Sequence, residues 1–190
     1  MCSLIYLINY RDSSKIKSTT RTIRISRQLD RLLKKDATNK RVNINSLISS
    51  IITKYAEWDR YVESLRFVSI PPDGLRLIIG SLDNEKVKEI GQQIGSRHLQ
   101  EFLMLWFKKI SIDSFFDGLT LFCRYSGMAK YDMDTTDGRE YVVAMHHDLG
   151  RKWSIFMQSI LEEGMKKTLN IMPKIDITES TIVFGFINPP

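Results

Sequence analysis

Residues 20 to 26 read Thr-Arg-Thr-Ile-Arg-Ile-Ser, and this stretch decides the fold of the N-terminal part of the chain. Side chains of a strand point alternately to two faces. The isoleucines at positions 23 and 25 therefore share a face that can be buried, while the other face carries Thr20, Thr22 and Arg24. A single strand is not stable in water, because even an isolated two-stranded hairpin is marginal. We expect this strand to pair with the same strand of a second copy.

Two helices are predicted after the strand. Ser26 is a good N-cap for the first helix, whose apolar residues follow helical spacing to a predicted end near Asn39. Asn43 is a good N-cap for the second helix, whose apolar stripe continues to about Leu65. The predicted order of elements is therefore strand, helix, helix.

The basic residues are concentrated in the first third of the chain. Residues 1–65 contain 13 Lys and Arg against 6 Asp and Glu, whereas residues 66–190 contain 15 against 16. The net charge of +6 therefore arises from the N-terminal segment. Such asymmetry is typical of a chain whose basic part contacts nucleic acid or an anionic membrane. A solvated basic surface is the alternative interpretation.

The polar face of the strand suits base recognition in the DNA major groove, which admits a two-stranded ribbon. Arg24 can form a bidentate contact with guanine, and Thr20 and Thr22 can reach base edges or a thymine methyl group. We therefore predict that these three residues read bases. A dimer would present them twice and would bury its isoleucines in a core that one short domain could hardly build.

Residues 20–55 resemble the ribbon-helix-helix DNA-binding family of the Arc and MetJ type. The resemblance rests on the alternation of polar residues with isoleucine, the capping serine, the amphipathic first helix and the asparagine cap of the second. It implies an intertwined homodimer that acts as a sequence-specific transcriptional regulator. It also implies that Thr20, Thr22 and Arg24 face the bases.

Phosphate contacts are expected at the start of the second helix, because unpaired amides there attract anions. We assign these contacts to Asn43 and Asn45, together with Lys40 and Arg41 of the preceding turn. Many members of the family have a glycine in this turn, whereas this chain has none. We expect Asn39 to take the left-handed conformation instead.

The chain is predicted to be α+β, with a leader or arm at 1–19, a ribbon-helix-helix domain at 20–65 and a mixed helical domain with a small antiparallel sheet at 66–190. The dipeptide Pro71-Pro72 is the clearest local boundary. We expect the C-terminal domain to extend the dimer or to sense an effector. Its predicted elements are a strand at 67–70, helices at 83–94, 98–109 and 112–125, a hairpin at 128–133 and 140–146, a helix capped by Asp148 and ending near 169, and a strand at 177–187.

Metal binding and catalysis are not predicted. His98, His146, His147 and Cys123 could supply ligands, and nickel-responsive members of the resembled family bind metal in a C-terminal domain. However, adjacent strand residues face opposite ways, and no Cys-x-x-Cys or His-x-x-x-His pair is present. Cys123 with His147 is the most evident nucleophile and base, yet a lone cysteine in an apolar helix is usually inert. We expect no enzyme, no metal and no cofactor.

The aromatic residues of the C-terminal part belong mainly to its core, although a few could line a pocket for a small apolar effector. The use of only two cysteines and the lack of a long apolar segment predict a cytoplasmic protein with no membrane partner. The expected partners are double-stranded DNA and a second copy of the chain. The alternative function is an antitoxin-like interaction module that binds DNA and a protein partner.

Overall fold

The computed structural model describes residues 19–137 and 139–188, and the chain divides into two compact units between Ala56 and Glu57. The described residues combine helices with a small antiparallel sheet, so the predicted α+β class is confirmed at this level. Residues 57–65, which we assigned to the DNA-binding domain, belong to the second compact unit. The predicted leader lies outside the described residues, apart from Thr19.

Helix α1 (Arg27–Asn39) begins and ends where the sequence predicts. The Ser26 hydroxyl oxygen accepts a hydrogen bond of 3.2 Å from the amide of Leu29, which satisfies one of the amides that a helix start leaves unpaired. Residues 19–26 form no hydrogen-bonded strand in the single chain, so the ribbon stays a prediction.

Helix α2 (Ile44–Lys54) continues without a break through a π-helical turn, Tyr55–Asp59, and helix α3 (Arg60–Ser64). Within the π turn, the carbonyl oxygen of Glu57 accepts a hydrogen bond of 2.9 Å from the indole N–H of Trp106.

Helix α4 (Pro72–Gly80) was not predicted, and the strand predicted at 67–70 was wrong. A strand needs a neighbour to satisfy its backbone groups, and no strand among the described residues pairs with this segment. The proline at the first turn of α4 suits a helix start, where its missing amide hydrogen is not needed. At the other end, the ammonium group of Lys152 donates to the Gly80 carbonyl at 2.8 Å.

Helix α5 (Asn84–Phe107) is continuous, so the separation of this segment into helices at 83–94 and 98–109, with a break at Gly95-Ser96, was wrong. Gly91 and Gly95 lie against the later helix Arg151–Leu169. A Cβ atom added at either glycine would lie only 2.5–2.7 Å from a backbone carbonyl oxygen of that helix. These glycines therefore permit close helix packing and do not end a helix.

The remaining elements are helix α6, which was predicted, a sheet of four strands and helix α7. The predicted Asp137-Gly138 hairpin is confirmed in its strands, with Gly138 outside the described residues. The predicted last strand is present but begins at Thr181, and it pairs with a short strand before it that was not predicted. Gly150, not Asp148, is the N-cap of α7. The bounds are α6 (Ile112–Ser126), β1 (Lys130–Thr136), β2 (Glu140–His146), α7 (Arg151–Leu169), β3 (Lys174–Ile177) and β4 (Thr181–Ile187).

The sheet is antiparallel in the order β1-β2-β4-β3, with α6 and α7 packed against it. Alternate residues of the two central strands are buried, as expected for a sheet covered on one face. Among the described residues, no helix is both long enough and apolar enough to cross a bilayer. The largest fully buried side chains of the core are Phe184, Leu103, Met145, Met165 and Ile182.

Candidate nucleic-acid interface

The three predicted base-reading residues are exposed in the single chain, as are the two isoleucines that alternate with them. Ile23 keeps 63% of its surface in water. Burying an apolar side chain of this size contributes roughly 1.5–3 kcal/mol, so an exposed pair is unfavourable. The described chain therefore leaves the apolar side chains of this segment uncovered, as it does the polar and basic ones.

The N-terminal unit has very little core of its own. Within residues 19–56, only Ala37 and Leu47 are buried. Ordering each residue of a folded chain costs about 1–2 kcal/mol in backbone entropy, which so small a core cannot offset. The uncovered apolar side chains of this unit are Ile23, Ile25, Leu29, Leu32, Val42, Ile51, Ile52 and Tyr55.

In the turn between α1 and α2, the residue in the left-handed conformation is Arg41, whose φ is 55°. The prediction that Asn39 takes this conformation was wrong. The amide of Arg41 donates a hydrogen bond to the carbonyl oxygen of Thr38, and the amide of Val42 donates one to the carbonyl oxygen of Ala37, each at 3.0 Å. These bonds keep Asn39 helical and move the left-handed position two residues along. A residue other than glycine is strained there by about 1–2 kcal/mol.

The start of α2 is arranged as a capped helix terminus. The side-chain oxygen of Asn43 accepts from the amide of Ser46 at 2.8 Å, so that oxygen is already engaged. Lys40, Arg41 and Asn45 are exposed beside this end of the helix. An anion here would be met by these side chains and by the first amides of α2.

A further basic surface lies on α1 and was not among the predicted site residues. Arg27, Arg31 and Lys35 are exposed and are spaced four residues apart, which places them along one face of the helix. Lys34 is instead paired with Asp30 at 2.8 Å. The signal that could have identified this surface was the four-residue spacing.

The histidine of the predicted nucleophile and base pair is committed to a structural network. The amide of Leu149 donates to His147 Nδ1 at 3.2 Å, so Nε2 carries the hydrogen and donates to the Ser154 hydroxyl at 2.9 Å. That hydroxyl donates to the Thr178 carbonyl at 2.8 Å. Burial raises the pKa of Cys123 to about 12, so its thiol is not activated.

The network predicts a pH-dependent stability. Burial lowers the pKa of His147 and outweighs the opposing influence of Asp148 and Glu179. The unfolded chain therefore binds a proton at His147 more readily than the folded chain does. The contribution of His147 to the free energy of unfolding is fully present above about pH 6.5 and is lost as the pH falls below that value. His147→Asn keeps an acceptor for Leu149 and should flatten this dependence in denaturant unfolding.

The control is Leu161→Ala, which truncates a buried side chain that has no ionisable group. This variant should be less stable at every pH and should keep the wild-type slope of stability against pH between about 5 and 7. An unchanged slope in His147→Asn would contradict the assigned role of the buried imidazole.

A buried carboxylate occurs at the start of the C-terminal unit. Glu57 is 6% exposed, and its carboxylate accepts from the hydroxyl of Tyr125 at 2.6 Å and pairs with Arg124 at 3.4 Å. Burial, followed by the bond to Glu57, raises the pKa of Tyr125. These contacts satisfy the buried charge, so they account for it structurally and need no ligand.

The arrangement as a whole offers an anion-binding surface in the N-terminal unit. Among the described residues, no group of three or more His, Cys, Asp or Glu side chains is placed to hold a metal ion. Comparison of the chain with known protein families, curated proteins and solved structures finds no match.

Proposed function

We propose that this protein is a sequence-specific, DNA-binding transcriptional regulator that acts as a homodimer. In this proposal, residues 20–26 of two copies pair as an antiparallel ribbon and enter the major groove. The C-terminal unit serves in oligomerisation or in sensing an effector. The observation that carries the proposal is the exposure of Ile23 and Ile25 together with Thr20, Thr22 and Arg24, in a segment whose sequence alternates between the two sets.

Pairing of two ribbons would supply the cover that the apolar side lacks. The isoleucines of each copy would lie over the exposed leucines of α1 and the exposed isoleucines of α2. Each side chain that becomes fully buried contributes roughly 1.5–3 kcal/mol, so the shared core would be several times larger than the core of one copy. The small core of a single copy thus supports an obligate dimer.

The charge of the same segment supports DNA as the ligand. Residues 19–47 contain eight Lys and Arg and two Asp, and a dimer doubles this excess. Phosphate contacts dominate the affinity of such proteins, because each one releases counterions from the DNA. The Lys40 and Arg41 side chains next to the start of α2 supply such contacts at the ends of the ribbon.

A selection from random duplex DNA tests the proposal directly. We expect enrichment of an inverted repeat, because a two-fold symmetric dimer reads two related half-sites. With six or more phosphate contacts, affinity should fall on the order of 10³-fold between 50 and 200 mM salt. Recovery of unenriched sequences, together with no retention of duplex at 50 mM salt, would refute it.

Arg41→Gly should separate folding from DNA binding. Glycine removes the strain at φ 55°, so the free energy of unfolding should rise by about 1 kcal/mol in chemical denaturation. Removal of the guanidinium group that binds phosphate should nonetheless weaken binding to all DNA severalfold.

The control for this substitution is Asn39→Gly in the same turn. Asn39 is helical, and glycine is a slightly poorer helix former than asparagine, so this change should lower stability by only about 0.3 kcal/mol. Arg41→Gly protein that binds DNA as tightly as the wild type would remove Arg41 from the interface.

A further inference from the structure

A second apolar surface lies in the C-terminal unit, on the segment that leads into α4. Its six apolar side chains are between 39% and 81% exposed. Val68, at 81%, and Leu77, at 72%, are the most exposed of them. We call this surface the 65–78 patch, formed by Leu65, Phe67, Val68, Ile70, Leu77 and Ile78.

Part of the 65–78 patch is continuous in space. A Cβ atom at Gly74 would lie 3.4 Å from the Ile70 side chain, so Ile70 lies beside this turn of α4. Leu77 and Ile78 follow Gly74 by three and four residues and therefore share its face of the helix. The absent side chain at Gly74 leaves a low surface between Ile70 and these two residues.

We propose that the 65–78 patch is a second self-association surface, which packs against the same patch of a second copy. The exposed apolar area is on the order of 500 Å² for each copy, as large as the greatest patch of a typical monomer. Two such patches would together bury on the order of 1,000 Å², which is the lower limit for a specific interface.

The charges beside the patch suit a second copy. An isologous contact places a surface against itself, so its charges must be balanced. Glu63 and Asp73 supply two negative charges, and Arg66 and Arg76 supply two positive ones, all on exposed residues. A partner of strongly acidic or basic character would find no matching excess here.

Covalent connection to the N-terminal unit strengthens the contact between two patches, and this step rests on the proposed function. If residues 20–26 pair two copies, their C-terminal units are joined to the same dimer by a chain that is helical from Ile44 to Ser64. Such a connection makes the contact between the two patches intramolecular, which raises the effective concentration of one patch for the other. A weak surface is then sufficient.

Sedimentation velocity of the full chain over a dilution series tests the proposal. Leu77→Asp should weaken self-association at least tenfold, because it places a charge in the apolar contact. Val68→Asp should do the same, and its position outside any helix or strand limits its effect on folding. Circular dichroism should show wild-type helix content in both variants.

Ile187→Asp is the matched control, since Ile187 is 70% exposed at the end of β4. It should self-associate like the wild type. If both patch variants self-associate like the wild type, the proposal is wrong. It is also wrong if Ile187→Asp weakens self-association as much as the patch variants do.

The two proposals fail in distinguishable ways. Patch variants should keep the wild-type preference for the selected duplex over random duplex at saturating protein concentration. A change at Arg24 should alter that preference and leave self-association intact. If only the patch variants fail to weaken self-association, the second interface is wrong and the ribbon stands. If only the change at Arg24 fails to alter the preference for the selected duplex, the ribbon assignment is wrong and the second interface stands.

Discussion

Replacing Gly95 by alanine is expected to lower the free energy of unfolding by roughly 2–4 kcal/mol. The added Cβ would lie 2.5 Å from the Ile160 carbonyl oxygen and 3.1 Å from the Gly164 amide nitrogen. Both atoms belong to the backbone of α7, so no rotation of a side chain relieves the overlap. The two longest helices of the C-terminal unit would have to move apart, and the core between them would loosen.

Denaturation followed by circular dichroism measures this effect, with Gly80→Ala as the control. Gly80 is also helical, but no atom lies within 4 Å of the position that its Cβ would occupy. Alanine there should be neutral or should stabilise by up to about 1 kcal/mol, because it restricts the unfolded chain. Equal stabilities of the two variants would show that α5 and α7 do not pack as closely as described.

Replacing Arg24 by alanine is expected to abolish most of the discrimination between the selected site and random DNA. A bidentate contact to guanine contributes about 1–3 kcal/mol, and a dimer contains two copies of the residue. The affinity for the selected duplex should therefore fall on the order of 30-fold to 10⁴-fold, while binding to random duplex changes little. Competition gel shifts at fixed salt measure both affinities.

Lys40→Ala is the companion variant, because Lys40 is assigned to phosphate and carries no sequence information. It should weaken binding to selected and random duplex about equally. The slope of log affinity against log salt concentration should become shallower by about 0.9 for each phosphate that is no longer neutralised. If Arg24→Ala and Lys40→Ala act alike on both duplexes, Arg24 does not read bases.

Capping and turn signals predicted local structure well. Ser26 and Asn43 start their helices as expected, and the Asp137-Gly138 pair marks the hairpin between β1 and β2. These signals depend on hydrogen bonds and dihedral angles within a few residues, so they need no knowledge of the remaining chain.

Glycines and apolar runs predicted local structure less well, because the conformation they adopt depends on residues that are distant in the sequence. Gly95 has the composition of a helix break, yet it contacts α7 within a continuous helix. The apolar run at 67–70 suits a strand by composition, but no strand lies beside it among the described residues. Asn39 suits the left-handed position, but the bonds of the following amides place Arg41 there.

The sequence by itself determined the starts of α1 and α2, the hairpin of β1 and β2, the basic N-terminal segment and the alternation of residues 20–26. All of these follow from short-range periodicity, capping and charge. Only the tertiary structure decided that Gly91 and Gly95 serve helix packing, that His147 is held neutral in a buried network and that the 65–78 patch is exposed. Close approach and burial are properties of residue pairs far apart in the chain, and no local pattern encodes which pairs meet.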